Sequence, residues 1–402
     1  MKKGHFWSYI IVILGFMVAF VGNYPQFQLS PLSYIIIPQL NLSASQFSSI
    51  FSASMIPGIL LSLISGLLCD KFGVKKCISF AGVVACMGIV LRLWSTTYET
   101  LLICMLLSGV GATFLNSNIG KLLSKWFPPE KMGVMAGLVL AGTPTAQIIG
   151  MSTTAYIPSV RSAYIIAALL SIIVAVLWIV FAKEESVSSA ALKKESVQKE
   201  EPAQTLGENL RIVLTHPAIW CIGISLMFML GSIIALSSFL PLALQNANGL
   251  SVQSASGVAA FVMIGSLVGT ILGPILCEKS GNMKLFICIC GIIAGLGTAF
   301  SWRLPSGFLM LSGMFITGFA SNAIIPIMMS LPIRLKGIGF ERGGTAGGVV
   351  ATIQLLGAVI IPTYIIVPIA GNNYSIFLIL AGVSAVICGF IALGLPNSKS
   401  RS

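Results

Sequence analysis

Charge is what this 402-residue chain has least of. Asp, Glu, Lys and Arg make up 8% of it against 56% apolar residues, and mean hydropathy is +0.98; soluble domains carry roughly 25% charged residues. Two stretches, Gly4–Cys69 and Ile212–Cys277, each run for 66 residues without one Asp, Glu, Lys or Arg. That excludes a soluble domain. A spanning helix needs about 20 apolar residues, so each run holds two spans and a short turn, at 41–45 and 245–252. The spans are helical because lipid offers bare backbone no partner. Other shortages narrow the function. His5 and His216 are the sole histidines, both at helix starts, and all eleven acidic residues fall in loops or at helix ends. No carboxylate or imidazole is therefore expected at mid-depth to load and unload a proton. The nine cysteines are scattered singly, which argues against a disulfide framework or metal site. No nucleophile–base pair falls within a span, so neither enzymatic activity nor a cofactor is expected.

What is present is a repeat. Both charge-free runs end in a charged turn, Cys69-Asp70-Lys71-Phe72-Gly73 and Cys277-Glu278-Lys279-Ser280-Gly281, offset by 208 residues. Glu130-Lys131-Met132-Gly133 with Gly137 returns as Glu341-Arg342-Gly343-Gly344 with Gly348, offset by 211. Glycines at such positions permit close helix packing. Hydropathy places twelve helices at 6–40, 45–69, 77–96, 100–126, 131–157, 162–182, 216–244, 253–277, 284–303, 307–333, 343–369 and 373–395. They form two six-helix halves, residues 1–182 and 216–402, joined by a polar linker at 183–215. The first span is too long, and lacks a small-residue cleavage site, to be a removable signal peptide. With the N-terminus inside, 20 of the 23 Lys and Arg residues fall on the cytoplasmic side, as the positive-inside rule requires. The expectation is a multi-pass cell-membrane protein with both termini cytoplasmic. Its net charge of +12 is then a topology signal and implies no nucleic-acid partner; the bilayer is the partner expected.

The turn after helix 2 reads Gly66-Leu67-Leu68-Cys69-Asp70-Lys71-Phe72-Gly73-Val74-Lys75-Lys76. It resembles the G-x-L-x-D-[KR]-x-G-x-[KR] loop of the major facilitator superfamily, through Gly66, Leu68, Asp70, Lys71, Gly73 and Lys75; Val74 replaces one residue of the usual basic pair. Gly273, Glu278, Lys279, Gly281 and Lys284 repeat it loosely. The resemblance implies an all-α major facilitator fold of twelve transmembrane helices in two pseudo-symmetric halves, with helices 1, 4, 7 and 10 lining a central cavity. It also implies a gate at the cytoplasmic side built on Gly66, Asp70, Lys71, Gly73 and Lys75, with Glu278 as its decayed copy. Independently of the family, a carboxylate at a helix end can accept hydrogen bonds from a neighbouring helix N-terminus or pair with a cation. The alternative is that these charges only stop the helix and fix topology.

Polar groups inside a span are functional candidates. Asn23, Tyr24 and Gln26 flank Pro25 in helix 1, Asn116 and Asn118 lie in helix 4, Gln147 in helix 5, Asn322 in helix 10 and Gln354 in helix 11. Their amides can donate and accept hydrogen bonds to a polar solute, or else glue helices together. Arg92, about five residues from the outer end of helix 3, and Lys121, on helix 4, are candidate anion contacts. The competing assignments are snorkelling to the headgroups for Arg92 and an inner-rim charge for Lys121. The helix 5 glycine–proline pattern of drug/proton antiporters is incomplete, with Gly133, Gly137, Gly142 and Pro144 but no following Gly-Gly. The sequence thus predicts a monomeric secondary transporter of a small polar organic solute, working by alternating access as a uniporter or exchanger. One alternative is a porter of a small anion (carboxylate, nitrate- or cyanate-like) using Arg92 or Lys121. A second is a non-transporting membrane sensor.

Overall fold

Short polar side chains start half of the twelve helices in the computed structural model, which describes residues 3–183, 206–335, 337–339, 342–371 and 373–395. Ser43 with Gln46, and Thr97 with Thr100, form capping boxes, while Ser159, Ser251, Asn282 and Asn373 each accept a first-turn amide, so orphan helix N–H groups are satisfied locally. Among the described residues the helices are α1 (Lys3–Gln39), α2 (Ala44–Ala53 and Ile56–Phe72), α3 (Val74–Leu91), α4 (Tyr98–Ser124), α5 (Pro129–Leu140 and Gly142–Thr154) and α6 (Val160–Phe181). They continue as α7 (Pro217–Asn248), α8 (Val252–Ser280), α9 (Met283–Phe300), α10 (Phe308–Met329), α11 (Gly343–Ala370) and α12 (Tyr374–Leu393). Eleven are long and apolar enough to cross a membrane, and α2, whose two segments bend by 40°, makes twelve when counted as one span. A further short helix, Leu206–Thr215, occupies the end of the expected linker. Residues 184–205 of that linker, and Glu341 of the second repeat, lie outside the described residues.

Proline explains the three irregular spans. Pro57, Pro144 and Pro362 each lack the N–H that would bond four residues back. At those places α2 breaks at Ser54–Met55, α5 breaks at Ala141, and α11 widens into a π-helical stretch over Ile361–Ile366. In α5 the Thr145 hydroxyl donates to the Ala141 carbonyl at 2.7 Å across the break.

The duplication read from the sequence is built into the packing. A Cβ on Gly109 of α4 would run into the carbonyl of Ser54 in α2, and a Cβ on Gly318 of α10 would run into the carbonyl of Val262 in α8. The two contacts are 209 and 208 residues apart. Gly142 of α5 sits likewise on the Phe16 carbonyl of α1, and Gly357 of α11 on the Met227 carbonyl of α7.

The halves share one apolar core and keep three others to themselves. Away from the linker, Phe27, Phe47 and Phe51 of the first half pack in one cluster with Phe239, Leu242, Val258, Ile366 and Phe377 of the second. Towards the linker, Ile11, Ile78, Leu123 and Trp178 pack only within the first half, and Ile219, Ile287, Met328 and Val350 only within the second. The molecule is therefore joined at its far end and parts towards its linker end.

Candidate functional site

At mid-depth, Asn23 of α1 is half-buried; its Nδ2 donates to the Ala19 carbonyl at 2.8 Å and to Thr143 Oγ1 of α5 at 3.3 Å. Gln147 lies one turn further along α5, half-buried, and Gln354 of α11 is also half-buried beside Leu355, whose side chain fills the space over Gly58 of α2. Asn322 of α10, half-buried, donates from Nδ2 to Ser266 Oγ of α8 at 2.9 Å. Asn116 of α4 is exposed. The side-chain amides of Asn116, Gln147 and Gln354 hold no hydrogen bond among the described residues.

The other candidates turn elsewhere. Asn118 is fully buried and ties α4 to α2, donating to Ser65 Oγ at 3.2 Å and to the Phe114 carbonyl at 3.0 Å. Tyr24 is buried, stacked on Phe20 at 5.4 Å and packed with Ile89 and Ala167 of the first half. Gln26 is buried with its Oε1 accepting from Ser54 Oγ at 3.0 Å, while its Nε2 has no partner among the described residues.

Arg92 neither reaches towards headgroups nor faces the space between the halves. It is 1% exposed. Its Nη1 donates to the Pro25 carbonyl at 2.9 Å, its Nη2 donates to Gln28 Oε1 at 2.7 Å, and its Cζ lies 3.9 Å from the Tyr164 ring centroid. The snorkelling assignment is overturned because two carbonyl-type acceptors and an aromatic face take the place of water around Nη1 and Nη2, while Nε has no partner among the described residues.

At the linker end, Lys121 Nζ pairs with Asp70 Oδ1 at 2.6 Å and also donates to the Gly66 carbonyl at 3.0 Å. Both partners are substantially exposed, so the pair itself adds little stability. The contact is within the first half. Gly73, at φ 90°, closes α2 and opens α3, and Gly281, at φ 67°, closes α8 in the same way; both backbone shapes favour glycine. Lys71 lies with its Nζ 5.3 Å from the Phe72 ring, Lys75 is half-buried, and Glu278 is exposed.

The far end holds the contacts that sequence reasoning missed. Ser30 Oγ of α1 donates to the carbonyls of Ser237 and Ser238 in α7, at 2.6 and 3.1 Å. Ser48 Oγ of α2 and Thr363 Oγ1 of α11 lie 2.9 Å apart, Ser45 Oγ donates to the Thr363 carbonyl, and Gln253 of α8 donates to the Ala155 carbonyl. Phe47 meets Phe239 edge to face at 5.4 Å, and Phe239 meets Phe377 at 4.8 Å. A signal was there: Ser30 and Ser238 are separated by the same 208 residues as the charged turns, so they face each other across the repeat axis.

The family model of the Major Facilitator Superfamily matches residues 5–362. The chain is 30% identical over 273 residues to the hexuronate transporter of Bacillus subtilis, covering 65% of this chain and 63% of that protein. The chain thus spans somewhat under two thirds of that relative. It is 23% identical over 377 residues to a probable sulfoacetate transporter, SauU, of Cupriavidus necator, covering 85% of this chain and 83% of that protein. Among solved structures, a bacterial homologue of the human lysosomal transporter Spinster, in an inward-facing and unoccupied conformation, superposes with a TM-score of 0.74. Its identity is 14%, with 98% of this chain and 96% of that chain covered.

Proposed function

The chain belongs to the Major Facilitator Superfamily and is a multi-pass membrane transporter of a small solute, and from that premise we propose that it carries a small polar organic solute across the cell membrane by alternating access. The linker end is cytoplasmic, so the conformation described is inward-open. The observation that carries this reading is the polarity of closure. Hydrogen bonds between the halves identified among the described residues lie at the far end, and amides of Asn23, Asn116, Gln147, Asn322 and Gln354 lie between that seal and the linker end. A seal on one side of a midplane site is what alternating access requires, and in this superfamily the site lies between repeats. One chain supplies both halves, so a monomer suffices. The gate charge Asp70 engages Lys121 here and is available to the second half once the linker end closes.

A small hydroxylated organic acid is the favoured solute within this class. The hexuronate and sulfoacetate transporters, by name, handle small organic anions, of which the hexuronates are hydroxylated, and neutral amides can donate to and accept from hydroxyl groups. Of the two candidate anion contacts, Lys121 is the one at the linker end, partly exposed and one turn from the exposed Ser117; Arg92 has two of its nitrogens turned towards α1. Described mid-depth positions carry no carboxylate or imidazole, which favours uniport or exchange. The deciding experiment is counterflow of labelled glucuronate in proteoliposomes. Exchange that proceeds equally with and without a pH gradient supports the reading; strict dependence on the gradient sinks the uniport or exchange mechanism. Lys121→Gln should weaken glucuronate exchange, and unchanged exchange would remove Lys121 from the site.

A further inference from the structure

Arg92 is a cation buried inside the first half, and the groups that meet its guanidinium are neutral. Its neighbours explain how it is tolerated and what it does. Pro25 and Gln28 are three residues apart on α1 and so share one face. Arg92 grips both, through the Pro25 carbonyl and Gln28 Oε1. Gln28 passes the contact on: its Nε2 donates to the Ala163 carbonyl of α6 at 3.1 Å, next to Tyr164, whose ring lies under the guanidinium. Asn23 and Gln26 are also three apart, and at 3.6 residues per turn they occupy the opposite side of α1. There they meet α5 and α2 through Thr143 and Ser54.

Of the three prolines inside α1, Pro25 is the one that lies between Asn23 and Gln26. It removes the backbone bond to Val21 and leaves the helix able to bend at the level of the candidate solute contacts. From this juxtaposition we propose that Arg92 is a positioning residue for solute binding: it clamps α1 from behind, at the proline, and so fixes the depth and rotation of Asn23 and Gln26. The inference rests on Asn23 belonging to the solute site, and on no particular solute.

The test uses the full chain in a cysteine-free background. The parent, Arg92→Lys, Arg92→Gln and the double variant Arg92→Leu/Gln28→Leu each carry Asn23→Cys for labelling and are made again without it for uptake. The double variant guards against misfolding, because replacing a buried polar pair by apolar groups is often neutral or stabilising. N-ethylmaleimide labelling of Asn23→Cys reads the placement of α1 with no solute present. It should change severalfold in Arg92→Gln and in the double variant, and less in Arg92→Lys, which keeps one donor. In the uptake arm, KM for glucuronate should rise on the order of tenfold, as when partners that orient a ligating group are lost elsewhere, with a smaller change in Vmax per folded molecule. A merely structural Arg92 would alter the yield of folded protein and leave both KM and labelling alone. A folded double variant that labels at the parental rate overturns the proposal. If the parent does not move glucuronate, the substrate assignment fails while the labelling arm still decides the role of Arg92.

Discussion

Asn118 and Gln354 look alike in the sequence, as amides near the middle of a span, and the structure separates them by their partners. Asn118 is sealed between α4 and α2 with two bonds donated. Asn118→Ala should therefore lower stability by about 1–3 kcal/mol by leaving Ser65 and a carbonyl underused, read as a lower Tm, with uptake per folded molecule close to the parent. Gln354 has no such bond among the described residues and is half-buried. Gln354→Ala should leave stability within about 0.5 kcal/mol of the parent and raise KM for the solute. The opposite pattern, stable Asn118→Ala and unstable Gln354→Ala, would reverse the two assignments. Spacing and polarity were enough to find these positions in the sequence. Which face of its helix each amide takes depends on rotation about the helix axis, and in a span that is apolar all round no hydrophobic stripe fixes that rotation. Tyr24 is the clearest instance, one residue from Asn23 and facing the interior of its own half.

At the scale of elements, the glycines of the charged turns and the prolines of the spans were legible for different reasons. Gly73 could be placed because the turn demands it: at φ 90° and ψ 146° it closes α2 and opens α3 at once. Gly73→Ala should cost about 1–3 kcal/mol, the usual range for a side chain forced into a sparsely populated backbone region, and thermal unfolding of the purified protein would measure it. Pro57, Pro144 and Pro362 were visible too, but a proline does not say whether its helix will kink, break or widen. That depends on the surroundings: in α5 the Thr145 hydroxyl bonds the Ala141 carbonyl beside the break, and α11 takes up the change as a π stretch. Helix-on-helix approach is the least legible. Gly318 is one glycine among 41, and only the position of the Val262 carbonyl marks it as one where a methyl group cannot fit. Gly318→Ala should destabilise the α8–α10 contact by about 1–3 kcal/mol through overpacking. Gly133→Ala, whose Cβ would meet open space, should not lower Tm.

At the scale of the whole molecule, the repeat offset is what connects sequence to mechanism. Charged turns 208 residues apart identified two halves, and the same offset links the paired Ser30 and Ser238 that hold the far end shut. The two ends differ in chemistry. The linker end carries charge, in Asp70 and Lys121, whereas the far-end seal is made by hydroxyls, carbonyls and phenylalanine rings. Apolar and hydroxyl contacts between halves can release into an opened, wetted gap at modest cost, because each bond exchanged with water is worth only about 0.5–1.5 kcal/mol. The seal is therefore one that thermal motion and bound solute can open. Ser48 and Thr363 sit at its centre, their hydroxyl oxygens 2.9 Å apart across the halves and both buried. In the cysteine-free background, Ser48→Cys with Thr363→Cys should form a disulfide on mild oxidation and lock the far end closed. Net transport should then stop, while access of thiol reagents from the linker end to a cysteine at Asn116 persists, and reductant should restore transport. Cross-linked protein that still exchanges solute would mean that the far end need not open, and the alternating-access reading of this conformation would fall.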